Sequence, residues 1–176
     1  MKIIINMTTE PDFEGPDDPH SSLMAGGYRS TEPRRLLIEL LSSTDECLTV
    51  EELYLGAHGQ NPKIGLATVY RTLSLLGRLG QIDRVDAGDG KARYELSERA
   101  GAVHHHHLIC ESCRRVRGYA EFSADELALM KRTEAAIEKR FGYRITGHAI
   151  YFHGLCPACI AGRKSSSTSM QPGETG

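Results

Sequence analysis

Hydrophobic positions follow helical spacing through the first half of the chain and shift towards strand-like runs in the second. From Leu66, apolar residues recur at Val69, Leu73, Leu76 and Leu79, spaced by three and four, which predicts a helix with one buried face. Leu36, Leu37, Leu40 and Leu41 predict an earlier helix, with Thr31 as its cap and Pro33 in the first turn. Thr49-Val-Glu-Glu52 has the reciprocal capping pattern and opens a short helix through Leu53 and Leu55 that stops by Gly59. Asn61 to Gly65 reads as a turn. Ile82 to Asp86 and Ala92 to Leu96 flank Gly88-Asp-Gly90 and read as a β-hairpin. Three short helices followed by a hairpin form the winged helix-turn-helix plan.

Beyond residue 98 the order becomes strand, strand, helix, strand. His104 to Cys110 and Arg115 to Tyr119 are the expected first strands. Ser123 is expected to cap a helix carrying Leu127, Met130, Ile137 and Phe141 on one face, ended by Gly142. Residues 144–153 are apolar on both faces (Ile145, Ala149 and Tyr151 against Ile150 and Phe152), as suits a central strand or a dimer seam. The expected fold class is α+β, with a winged-helix domain over 23–97 and an αβ domain over 98–161. Residues 1–22, with Pro11, Pro16, Pro19 and clustered Asp12, Glu14, Asp17 and Asp18, read as a disordered acidic arm. An uncut vector segment or a mis-assigned start before Met7 or Met24 accounts for them as well as a function does. Residues 162–176 read as a flexible Ser-rich tail.

Composition narrows the function classes. A chain of 176 residues, 40% hydrophobic, can bury one moderate core or two small ones. Its net charge of −2 gives no general attraction to nucleic acid, so any DNA contact needs a local basic face. The 66–79 helix offers one, because its buried stripe leaves Ala67, Thr68, Tyr70, Arg71, Ser74 and Arg78 pointing outward. Alanine and threonine can meet thymine methyls, and arginine can reach guanine or phosphate. An ordinary solvated helix face accounts for the same residues. Arg84, Lys91 and Arg93 on the hairpin are expected to touch the DNA backbone or minor groove. Ile3-Ile4-Ile5 is too short for a signal peptide or membrane span, and no other stretch approaches the length needed. Thiols at metal spacing then point to the reducing cytoplasm.

The chemistry concentrates in cysteine and histidine. Four of the five cysteines form two Cys-x-x-Cys units, Cys110/Cys113 and Cys156/Cys159. Each unit presents two thiolates to one side of an ion, and two units complete a closed tetrahedral Zn²⁺ site. Free thiols, disulfides and redox chemistry are the alternatives, the last needing only one unit beside a βαβ pattern that is absent from this sequence. His104 to His107 directly precede the first unit. On a strand, His104 and His106 share one face while His105 and His107 share the other, so one run can feed two metal sites. A surface histidine tract is the competing reading; an engineered tag would lie at a terminus.

Four further stretches belong together: Ile64-Gly-Leu-Ala-Thr-Val-Tyr-Arg-Thr72, Arg93-Tyr-Glu-Leu96, His104-His-His-His-Leu-Ile-Cys-Glu-Ser-Cys113, and Thr146-Gly-His148 with Gly154-Leu-Cys-Pro-Ala-Cys159. In this order and spacing they resemble the ferric uptake regulator family of metal-dependent bacterial repressors. The resemblance covers roughly residues 23–161. It implies a C-terminal dimerisation domain holding structural zinc on Cys110, Cys113, Cys156 and Cys159, and a homodimer on double-stranded operator DNA. It further implies a regulatory ion between the domains on Glu95, His105 and His107, with Fe²⁺ the first expectation and Mn²⁺ or Zn²⁺ the alternatives. The family's fourth ligand is a histidine, and this chain has Cys47 there, which as a thiolate shifts the preference towards tetrahedral zinc. A small buried apolar residue is the other reading of Cys47.

A second family site matches His104, His106 and His148, with Glu126 or Glu134 as the acidic partner. Contacts to DNA are expected from Tyr70 and Arg71, assisted by Thr68 and Ser74. The peroxide-sensing branch has an Asp at the position of Gly118, which argues against histidine oxidation here. His20, His58 and His153 have no place in these sets. A zinc hydrolase would need a His-Glu-x-x-His helix or a general base beside an open zinc position, and neither is evident; the expectation is of no enzyme. A metal-storage or adaptor module without a DNA role is the remaining alternative.

Overall fold

The structure, a computed structural model, describes residues 19–97 and 104–167. The N-terminal unit runs α1 (Pro19–Ala25), α2 (Glu32–Ser42), β1 (Leu48–Thr49), α3 (Val50–Gln60), α4 (Leu66–Arg78), β2 (Ile82–Asp86) and β3 (Ala92–Leu96). Leu37, Leu53, Val69 and Leu76 are fully buried where α2, α3 and α4 pack together. The hairpin lies as expected, with Gly88 and Gly90 at φ +78° and +80°, a conformation that costs glycine nothing. In α3, the Thr49 hydroxyl accepts from the Glu52 N–H at 3.2 Å and the Glu52 carboxylate accepts from the Thr49 N–H at 2.7 Å. Such a cap is worth about 1 kcal/mol. Thr31 occupies the cap position of α2, but its side chain makes no capping bond.

Four local expectations change. α1 starts at Pro19 and buries Ser22 and Leu23, so residues 19–22 belong to the folded unit; the rest of the acidic arm lies outside the described residues. Leu66 is 44% exposed because it opens α4 above the core, and Thr72 and Leu75 are buried in its stead along the inner face. Arg93 is a buried side chain whose guanidinium donates two bonds to the Asp89 carboxylate at 2.8 and 2.9 Å. This pairing braces the hairpin tip and removes Arg93 from the surface offered to DNA. Strand β1, which pairs Leu48 with Tyr94 and Thr49 with Arg93, was not expected; two residues are too few to show a period.

The C-terminal unit contains β4 (His106–Cys110), β5 (Val116–Tyr119), α5 (Ala124–Phe141), β6 (Tyr151–Gly154) and α6 (Pro157–Ser167). Its sheet has the order β5-β4-β6, antiparallel between β4 and β5 and parallel between β4 and β6. Ser123 and Glu126 form a second reciprocal cap at the start of α5, and Gly142 ends that helix at φ +72°. The last strand is shorter than 144–153. Upstream, the Ile145 N–H donates to the Glu138 carboxylate of α5 at 2.8 Å and so joins no ladder. The expected flexible tail is helical as far as Ser167, and residues 168–176 lie outside the description.

Helix α5 buries none of its residues; Leu127, Leu129, Ile137 and Phe141 remain exposed, as do Leu108 and Phe152 on the sheet. The predicted apolar stripe is therefore present, and nothing among the described residues covers it. Between the two sheets a small core joins Cys47, Val85 and Ala87 to Ile109 and Val116. A backbone seam runs beside it. The Cys47 N–H donates to the Val116 carbonyl at 3.0 Å, the Gly118 N–H donates to the Asp45 carbonyl at 2.7 Å, and Glu46 bridges Arg117 in antiparallel fashion. Residues 45–47 thus add to the free edge of β5.

Candidate metal centres

Position along the strand separates the histidines into two groups. Across the seam, Cys47 lies just ahead of β1, Glu95 on β3, and His107 on β4 facing them. The candidate ligand atoms of these three residues all lie within 4.8 Å of one another. Glu95 is the hub. Its carboxylate accepts from the Cys47 thiol at 2.9 Å and lies 3.0 Å from His105 Nε2 and 2.8 Å from His107 Nε2. The His107 ring stacks on Tyr151, with centroids 5.2 Å apart and planes 14° from parallel. Its buried Nδ1 finds no hydrogen-bond partner among the described residues.

The electrostatics of this group are those of a charged carboxylate among donors. Burial pushes the Glu95 carboxyl up, but hydrogen bonds from His105 and His107 outweigh it and leave the pKa at about 2. The Cys47 thiol is pushed far above its ordinary value, first by burial and then by the neighbouring Glu95 charge. Such a thiol is inert as a nucleophile, and only a cation at the same point makes its deprotonation favourable. One carboxylate, one thiol and the His107 imidazole converge where solvent is scarce and fit a divalent transition metal, while His105 stands outside that tight group and reaches it through the Glu95 carboxylate. Cys47 is buried, and its thiol is aimed at Glu95.

On the opposite face of β4, His104 and His106 meet His148. Their Nε2 atoms lie 3.2 and 3.1 Å from His148 Nε2. Ligand atoms about 2.0–2.1 Å from a tetrahedral ion are about 3.3–3.4 Å apart, so these separations suit three imidazoles on one metal. Burial, then the neighbouring His104 and His148, hold His106 below the ordinary histidine range and favour the neutral ring that ligation needs. The two candidate carboxylates separate clearly. Glu126 is engaged by its own helix cap and by the Tyr119 hydroxyl, whereas Glu134 lies 2.7 Å from His148 Nδ1. Sequence reading did not find Phe122, whose ring packs on both His104 and His106 at 5.8 and 4.6 Å; no spacing rule signals it.

The cysteine units meet where β4 ends and α6 begins. The four Sγ atoms lie within 4.8 Å of one another, and Cys113 Sγ is 3.7 Å from Cys156 Sγ. A disulfide needs sulfurs about 2.05 Å apart, whereas two thiolates on one zinc are about 3.8 Å apart. Backbone N–H groups of Cys113 and Cys156 hold Cys110 towards its thiolate, with a pKa of about 6; the Cys156 N–H lies 3.3 Å from the sulfur. The geometry is that of a closed structural zinc site.

Helix α4 presents its predicted outer face. Ala67, Tyr70, Arg71, Ser74 and Arg78 are exposed and Thr68 partly so. Arg71 donates to the Thr68 hydroxyl at 3.3 Å and Arg78 to the Ser74 hydroxyl at 3.3 Å, which aligns the guanidinium groups along the helix. No helix among the described residues is long and apolar enough to cross a membrane.

Comparison with known proteins adds an independent line. A sequence model described as the ferric uptake regulator family matches residues 25–153. The ferric uptake regulation protein of Bacillus subtilis (strain 168) is 38% identical over 138 residues, 78% of this chain and 89% of that protein. The protein of the same description from Escherichia coli (strain K12) is 35% identical over 140 residues, 79% and 88% of the two chains. Among solved structures, the Vibrio cholerae ferric uptake regulator superposes with a TM-score of 0.63 at 31% identity, covering 79% of this chain and all of that one. A zinc-bound manganese uptake regulator superposes with a TM-score of 0.61, also at 31% identity, over 78% of this chain and 98% of the other.

Proposed function

The chain belongs to the ferric uptake regulator family, and from that premise we propose that it represses transcription as a homodimer on operator DNA when a divalent ion is held between its two units. Membership makes it a metal-responsive transcription regulator; the ligands, the partner chain and the DNA contacts are our reading. One observation carries it: the Glu95 carboxylate, on the wing strand of the first unit, is within hydrogen-bond distance of His105 and His107 of the second.

In this reading the winged helix occupies residues 23–97, extended by α1, and the dimerisation unit residues 98–161. Cys47 and Glu95 on one side and His105 and His107 on the other grip the regulatory ion, which when bound supplies coordination bonds common to both units. Gripping it fixes the orientation of α4 relative to the second sheet, and hence the separation of two α4 helices in a dimer. Recognition helices must match successive major grooves about one helical turn apart. Fe²⁺ is the family's expectation. The Cys47 thiolate moves the donor set towards Zn²⁺ or, more weakly, leaves Mn²⁺ as the alternative.

The exposed apolar residues of α5, with Leu108 and Phe152 of the sheet, supply the surface for a second copy. His104, His106 and His148 hold a second ion, with Glu134 against His148 as its acidic partner. Four free thiols poised for zinc suit a reducing cytoplasm. The activity is regulation, with no catalytic step assigned to any residue.

Duplexes selected from a random pool with metal present test the DNA reading. Tyr70→Ala and Arg71→Ala are each expected to weaken binding to the selected duplex by about 1–3 kcal/mol, with unchanged metal content. A storage or adaptor module would select no duplex, and equal binding by all three proteins would reject α4 as the reading helix.

A further inference from the structure

Gly118 is a glycine without a backbone reason to be one. Positive φ angles occur at Gly27, Gly80, Gly88, Gly90 and Gly142, and Gly118 is not among these residues. It sits inside β5, where glycine weakens a strand and commonly marks a close approach. The approach is identifiable. Gly118 pairs with His107 in the β4–β5 ladder, and residues directly opposite in such a ladder share a face. A Cβ at position 118 would lie 3.1 Å from His105 Cδ2, 3.6 Å from His105 Cγ and 3.4 Å from the Asp45 carbonyl oxygen. The first distance is too short for comfortable contact, and the atom it meets belongs to a ring that lies against Glu95 at 3.0 Å.

We propose that Gly118 is the positioning residue of the interdomain metal site: its vacant side-chain space seats the His105 imidazole, while its N–H holds the strand that carries Cys47. The second half of that statement is the seam. The Gly118 N–H donates to the Asp45 carbonyl at 2.7 Å, and two residues further along the same segment the Cys47 N–H donates to Val116. The donors from the two units are therefore set by one short stretch of β5 edge. A methyl at 118 in this chain crowds the His105 ring where it lies against Glu95, whereas its 3.4 Å approach to the Asp45 carbonyl is ordinary contact that leaves the seam in place. This inference rests on His105 being a ligand of that site, as proposed above.

The test uses the full chain with zinc in its cysteine site, titrated with Co²⁺ and followed by visible absorption, in wild type, Gly118→Ala, His105→Ala and the double variant. His105→Ala is expected to weaken Co²⁺ binding at least 10–100-fold, roughly the scale of losing a metal-site partner. Gly118→Ala is expected to weaken it by roughly 10-fold and to alter the absorption bands, which a general loss of stability does not do. In the His105→Ala background, Gly118→Ala should cost nothing further, because no ring remains to be displaced. Wild-type affinity and spectrum in Gly118→Ala, or losses that multiply in the double variant, would overturn the proposal. If Gly118→Ala does not fold, folding of the double variant supports the proposal and its failure to fold overturns it. Wild-type affinity in His105→Ala would instead reject the ligand assignment on which the proposal rests.

Discussion

Cys156→Ser is expected to release the structural zinc and to melt the second sheet while the winged helix stays folded. The asymmetry follows from where the buried side chains lie. Leu23, Leu37, Leu53, Ile64, Val69 and Leu76 form one core within the first unit. Among the described residues the second unit contributes Ile109 and Val116, with the half-buried Tyr151, to the core between the sheets, and α5 buries nothing. Its parallel strand β6 is held to β4 over four residue pairs, Tyr151 to Gly154, and the cysteine pairs lie at the end of that ladder. A site linking Cys110 and Cys113 to Cys156 and Cys159 closes the chain between them, and structural zinc contributes about 10–16 kcal/mol in small metal-dependent domains. The checks are metal content and hydrogen exchange. Amides of β4, β5 and β6 should lose protection while those of α2, α3 and α4 keep it. Retention of protection in zinc-free protein would show that the sheet stands without its metal.

Glu95→Gln is expected to lower divalent-cation affinity between the units by on the order of 100-fold or more, leaving the cysteine site filled. The substitution keeps shape and removes charge. At the hub it also replaces one acceptor oxygen by an N–H₂ that faces the donors Cys47, His105 and His107. An unmatched buried donor costs about 1–3 kcal/mol, so the metal-free protein should lose stability as well. Because burial and the Glu95 charge hold the Cys47 proton in place, cation binding must expel it, and the wild-type affinity should rise with pH. Removing the Glu95 charge eases that deprotonation, so the pH dependence should move to lower pH in Glu95→Gln. Calorimetric titration at several pH values checks both statements; unchanged affinity would place the regulatory ion elsewhere.

Much of this was legible in the sequence because it was written in local periods. The 66–79 stripe, the Thr49–Glu52 cap and the Gly88–Gly90 turn each report an element whose own backbone needs those residues. The alternation of His104 to His107 likewise sorted the imidazoles correctly, since a strand offers only two faces. What escaped was set by contacts between distant segments. Nothing in Asp45-Glu-Cys47 announces a strand, because its partner is the edge of β5 and its length is too short for a pattern. Arg93 resembled a DNA contact until the turn placed Asp89 beside it. The α5 stripe is present as its period predicts, but the described residues leave it exposed. Glu126 and Glu134 were indistinguishable by counting; hydrogen bonds to the Ser123 cap and to His148 separated them.

In the function we propose, one ion gripped from both units selects the posture that fits DNA. Coupling of this kind is reciprocal, so operator binding must tighten metal binding by the same factor that metal tightens operator binding, typically about 5–150-fold. The direct measurement is the metal affinity of the interdomain site, free and saturated with selected duplex, in protein whose cysteine site holds zinc. Metal should bind more tightly on DNA, by a factor that matches the metal-dependent gain in duplex affinity. Equal metal affinity in the two states would contradict it.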